Sequence, residues 1–162
     1  MTKSEFVATY VQKHFGDTQS LEKKLVGLAE KVWENGVPEG LLTVTDNTTL
    51  TEDDLGRTVC IATDAKVITL PKITSEMLGK KIIIMNTGAD GNNVVTISPN
   101  AADGINGSIA NAAADSVASG VVNKDFANTK ATANRGDYVV LMALALTKWV
   151  IMGGVGIWAS EG

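Results

Sequence analysis

The residues able to do chemistry are few and widely spaced. The chain of 162 residues has one histidine, His14, and one cysteine, Cys60. A nucleophilic cysteine needs a histidine or a cation nearby to hold it as thiolate. Thr58-Val59-Cys60-Ile61 instead reads as a strand carrying a small apolar residue, and His14 falls far upstream in a helical pattern. Structural zinc draws on four Cys or His ligands, so no zinc site is expected. Glu52, Asp53 and Asp54 are consecutive, whereas glycoside hydrolysis needs two carboxyls facing across a cleft; the trio reads as an acidic surface turn. Asp90, Asn92 and Asn93 lie in one Gly-rich stretch, and Asp103 and Asn106 in another. Neither is followed by an acidic residue at the spacing of a helix–loop–helix calcium site. Turn chemistry explains them, since Asp and Asn tolerate positive φ and bond their own backbone. Gly153-Gly154-Val155-Gly156 has the glycine content of a phosphate loop, but no helix follows to aim its N-terminus at an anion. The expectation is a non-enzymatic chain with no metal and no cofactor.

Composition narrows the partners. The formal net charge is −4 and no run of Lys or Arg exceeds two residues. Binding nucleic acid requires a basic footprint that displaces counterions from phosphate, so none is expected. The pairs Lys23-Lys24 and Lys80-Lys81 read as solvated faces. Met1 to Glu5 is polar and lacks the apolar run of a secretory signal. The longest apolar stretch, Tyr138 to Leu146, is too short to span a bilayer, so no membrane contact is expected. A single cysteine suits assembly in a reducing cytoplasm.

The elements that would position these residues fall into two parts, a helical segment over 1–39 and a β domain over 40–162. Thr2 and Glu5 have capping-box spacing, and Phe6 with Tyr10 and Val7 with Val11 form i,i+4 apolar pairs up to Gly16. A second helix carries Leu21, Leu25, Leu28 and Val32 on one stripe and closes at Asn35-Gly36, with Pro38 beyond. That stripe either packs on the rest of the chain or faces identical helices of partner chains. At about two heptads it is short for a coiled coil.

After Gly40 the period becomes alternating. Strands are expected around Leu42 and Val44, over Thr58 to Thr63, Lys66 to Leu70, Lys81 to Met85, Asn92 to Ser98, Tyr138 to Ala145 and Trp149 to Met152. Lys81 to Met85 would be buried on both faces if central. Asp103 to Gly107 reads as two tight turns around Ile105. Ala110 to Ala133 reads as a long loop with a short strand near Val121. Turn signals at this spacing, without alternating helices, predict a mainly β protein, a β-sandwich or jelly-roll-like domain after one or two short helices.

The order Asp54-Leu55-Gly56, Val67-Ile68-Thr69-Leu70-Pro71, Gly79, Ile82-Ile83-Ile84-Met85-Asn86, Val95-Thr96-Ile97-Ser98-Pro99, Ile105-Asn106-Gly107, Gly136-Asp137-Tyr138 and Trp149-Val150-Ile151 resembles tailed-phage virion proteins. Similar strings occur in capsid decoration (cement) proteins and in tail-fibre modules. The resemblance runs from about Leu50 to Trp158. It implies a jelly-roll-like sandwich, often a homotrimer, bound to the major capsid protein on the outer surface of the virion. Under it, Phe6, Tyr10, Leu21, Leu25, Leu28, Val32 and Trp33 are the expected contacts to the capsid or to other copies. A tail-fibre, collar or head-fibre subunit is the alternative, and a sugar-binding or hydrolytic enzyme is disfavoured by sparse aromatics.

Overall fold

In the computed structural model, residues 40–111 and 115–161 are described, and they build two sheets with no α-helix among them. The helices expected over 1–39, and with them Phe6, Tyr10, Leu21, Leu25, Leu28, Val32 and Trp33, lie outside the described residues.

The first six strands wind back and forth between the sheets. In one sheet, β1 (Leu41–Val44), β3 (Thr58–Ile61) and β5 (Lys81–Asn86) run parallel. In the other, β2 (Thr48–Thr49), β4 (Lys66–Thr69) and β6 (Val95–Ser98) do the same. Each coil therefore contributes one strand to each sheet. Parallel pairing was not expected, because no helix alternates with the strands, and a jelly roll runs antiparallel throughout. Here the crossover that a parallel pair requires is supplied by the intervening strand of the opposite sheet.

A local repeat drives the winding. Leu50-Thr51-Glu52-Asp53-Asp54-Leu55-Gly56-Arg57 leads into β3, and Ile73-Thr74-Ser75-Glu76-Met77-Leu78-Gly79-Lys80 leads into β5. Each segment begins on a buried aliphatic residue, Leu50 or Ile73, and makes one 3-10 turn, Glu52–Asp54 or Ser75–Met77. Each then turns through a glycine, Gly56 at φ +90° or Gly79 at +82°, a left-handed conformation that residues with a Cβ resist. At the opposite turns, Asn47 Oδ1 accepts the Val67 amide at 3.0 Å and Asp64 Oδ1 accepts the Val94 amide at 2.9 Å. Both side chains stitch one coil to the next.

The remaining strands are β7 (Gly104–Ile109), β8 (Ser116–Val122), β9 (Phe126–Asn128), β10 (Tyr138–Ala145), β11 (Lys148–Val155) and β12 (Trp158–Ser160). The sheets are ordered β1-β3-β5-β10-β11-β7-β8 and β12-β9-β6-β4-β2. Two expectations change here. Asp103 to Gly107 is no pair of turns but leads into β7, and within 110–133 the short strand expected near Val121 is the longer β8, with β9 after it in place of loop. The sequence hid β7 and most of β8 because their pairing selects small residues: a Cβ on Gly104 would strike the Gly120 and Val121 carbonyls.

The two sheets share one core, with Ile61, Ile82, Ile84, Leu141 and Trp149 from the larger sheet and Ile68, Ile97, Phe126 and Trp158 from the smaller. Trp149 is fully buried, and Phe126 stacks on Trp158 at 5.6 Å between centroids and 13° between planes. Burying a side chain of this size is worth at most about 4–6 kcal/mol by transfer area. Strand β5 is central, but only its inward side chains, Ile82, Ile84 and Asn86, are enclosed. Ile83 and Met85, on its other face, are half-buried.

Candidate interaction surface

Register and alternation fix which side chains leave the core. On the outer face of the seven-stranded sheet, β1 and β3 present Leu41 and Cys60, and β5 presents Ile83 and Met85. Tyr138, Val140, Met142 and Leu144 follow on β10, then Val150 and Met152 on β11, and Val117 on β8. Leu41 is 75% exposed, Leu144 58%, Val117 57% and Met152 50%, and the shared core takes none of these side chains. Three of the chain's five methionines, Met85, Met142 and Met152, lie on this face. Methionine's flexible, polarizable side chain suits adaptable contact surfaces. The strands place no Asp or Glu here, and their only charges, Lys81 and Lys148, stand at one end beside β10.

The register shift at Met152 makes a bulge that pushes this residue outward. A second shift, in β8 opposite Ile105, is built on Gly120 at φ +75°. The Lys148 ammonium donates to the Gly120 carbonyl at 3.2 Å and so seals that irregularity.

The other chemistry-bearing residues serve the fold. The Cys60 thiol lies on this face but is nearly buried, and burial pushes its pKa up, away from a reactive thiolate. Asp54 accepts from the Thr51 amide and hydroxyl, both at 2.9 Å, and pairs with Arg57; Glu52 pairs with Lys80 at 2.8 Å. Among the described residues, no group of three or more His, Cys, Asp or Glu is placed to hold a metal ion.

One of the expected turn residues, Asn93, sits in a buried polar chain that the sequence did not announce. Asn93 Nδ2 donates to Asn86 Oδ1 at 2.8 Å, Asn86 Nδ2 to Asn128 Oδ1 at 2.7 Å, and Asn128 Nδ2 to Asp137 Oδ2 at 3.0 Å. Asp137 Oδ2 also accepts the Asn134 amide, and Asn86 Oδ1 the Gly88 amide. This chain ties the ends of β5 and β9, and so ties the two sheets. Gly156, from the glycine-rich run, lies against the Asp137 carboxylate where a Cβ would collide, and a Cβ on Gly154 would strike the Tyr138 carbonyl. Those glycines therefore serve close packing. Asp103 is fully buried and its Oδ2 accepts the Ile73 amide at 3.0 Å; desolvation pushes its carboxyl up, opposed by that bond and by Lys72. An Asp directly before a glycine in a predicted turn carried no signal of burial.

No protein-family model and no curated protein sequence matches the chain.

Proposed function

We propose that this is a structural virion protein, a capsid decoration subunit that binds the assembled major capsid protein lattice and stabilises the head. The observation that carries the reading is the outer face of the seven-stranded sheet, broad, methionine-bearing and without carboxylates. Such a face has the composition of an interface centre, rich in Met and depleted of acidic groups. The residue order that resembles phage virion proteins supplies the partner. In this reading the two sheets form a β-sandwich whose core is a rigid platform, and the face adds buried area to an assembled shell. Binding the assembled state alone stabilises it by mass action. Phe6, Tyr10, Leu21, Leu25, Leu28, Val32 and Trp33 are proposed as further contacts. Replacing Leu25 and Leu28 with Asp is expected to remove assembly or shell binding and leave the β domain's melting unchanged.

The test mixes purified protein with undecorated phage heads. Saturable binding at a fixed number of copies per shell, with a raised shell melting temperature, is the expected result. One observation favours the second reading, a tail-fibre or collar subunit. The three coils built by β1 to β6 stack like the start of a solenoid, a geometry suited to a shaft. Binding to tails or host cells, with none to heads, would select it.

A further inference from the structure

Three thioethers gather around one residue of the larger sheet's outer face. Val140 of β10 pairs with Ile83 of β5 on one side, and on the other it borders the bulge that carries Met152. Met142 follows two residues along β10, on the same side of the strand, and Met85 lies diagonally across, opposite Tyr138. Met85, Met142 and Met152 therefore surround Val140. Met152 is 50% exposed, and Met85 and Met142 are half-buried. Met77, by contrast, is 1% exposed and belongs to the shared core.

Hydrogen peroxide discriminates between these positions. The thioether sulfur attacks one peroxide oxygen and the O–O bond breaks. The sulfur keeps that oxygen as a sulfoxide, the proton passes to the other oxygen, and water leaves. The reaction needs an accessible sulfur, which Met152 offers and Met77 withholds until the core opens. It turns an apolar side chain into a dipolar one. In water the change costs the fold little, since none of the three side chains belongs to the core. Against a docked partner it leaves a buried acceptor without a donor. Cys60 stands beside Met85 in register, but it is 9% exposed and burial keeps it as the unreactive thiol.

We propose that Met152, with Met142 and Met85 around Val140, is an oxidation site that switches off docking at this face. The proposal rests on the reading of the face as a contact surface and names its control. With three thioethers the face is continuous and apolar; a sulfoxide at its centre demands hydrogen bonds that an apolar partner does not supply. The switch is reversible. Methionine sulfoxide reductase, with two thiols as reductant, returns the sulfur to thioether and releases water and a disulfide.

The test treats the full chain with hydrogen peroxide and maps oxygen uptake by peptide mass spectrometry. Met152 is expected to react first and Met77 last, with the melting of the β domain retained. Two binding readouts follow, undecorated phage heads and retention on a phenyl-bearing resin. Oxidised protein should bind heads about tenfold or more weakly, the scale of one polar group buried unpaired, and should leave the resin earlier. Reductase treatment should restore both. Replacing all three, Met85→Leu, Met142→Leu and Met152→Leu, keeps size and apolarity, so that chain should bind like wild type before and after peroxide. Cys60→Ser should respond as wild type does. Retention or head binding that ignores sulfoxide at Met152, a response that persists in the triple variant, or Met77 reacting as fast as Met152 overturns the proposal. Unoxidised protein that ignores heads removes the decoration reading alone, and the resin then decides the switch.

Discussion

The two outer faces of this protein are built on the same core and differ in kind. The smaller sheet turns Thr49, Val67, Thr69, Thr96, Ser98, Ala127 and Ala159 outward, small side chains dominated by hydroxyls. The larger sheet turns out Ile83, Met85, Val140, Met142, Val150 and Met152. A sheet with one solvated face ordinarily alternates apolar inward and polar outward, and the smaller sheet obeys. The larger sheet departs from that pattern along its central strands, where folding alone would have tolerated Thr or Lys. Large apolar groups on one outer face and hydroxyls on the other are the contrast on which the proposed shell contact rests.

The comparison can be broken at several depths. The largest effect is expected at the core that both faces share. Trp149→Ala should cost about 3–5 kcal/mol, and both sheets should melt in one transition by calorimetry; separate transitions would mean that the faces do not rest on a common platform. Next is the polar chain that ties the sheets at one end. Asn128→Ala removes the buried bonds to Asn86 Nδ2, Asp137 Oδ2 and the Ile157 carbonyl and should cost about 1–3 kcal/mol, measured by urea denaturation. A loss within error would show that water replaces these bonds.

A smaller effect distinguishes the Asp103 carboxyl. Burial raises its pKa in the folded state, so the folded protein holds a proton that the unfolded chain has already released. Stability therefore declines as pH rises from the ordinary Asp range through the raised value, then levels off. Asp103→Asn should flatten that slope, and an unchanged pH profile would assign it to other groups. Asp64 shifts the other way, lowered chiefly by its bond to Lys130, so its contribution is lost as pH falls. The smallest stability effects belong to the faces themselves, where Val140→Glu and Thr96→Glu should each change stability by about 1 kcal/mol or less.

Much of the β domain was legible because its central strands alternate strongly. Val59 with Ile61, Ile82 with Ile84, and Val139 with Leu141 all point into the core as their spacing predicts. β7 was not legible, and β8 only as a short strand near Val121, since Gly104, Gly107 and Gly120 are set by close strand approach rather than by propensity. The parallel coils left a trace that could have been read: Thr51 to Arg57 and Thr74 to Lys80 repeat the pattern Thr, three residues, Leu-Gly and a cation. The outer face was harder to see. Ile83 and Met85 look like the second face of a buried strand, and only the order of strands shows that no described strand of the smaller sheet packs there. The leucines at 144 and 146 read as the end of a strand, and their exposure depends on where the hairpin turns.

The most direct measurement compares the two faces on the proposed partner. Wild type, Val140→Glu and Thr96→Glu would be titrated onto undecorated phage heads and bound copies counted. Wild type and Thr96→Glu should saturate at the same stoichiometry and raise the shell's melting temperature, while Val140→Glu, equally stable, should bind at least about tenfold more weakly. Equal binding by all three, or loss on the threonine face instead, would contradict the assignment of the apolar face to the shell.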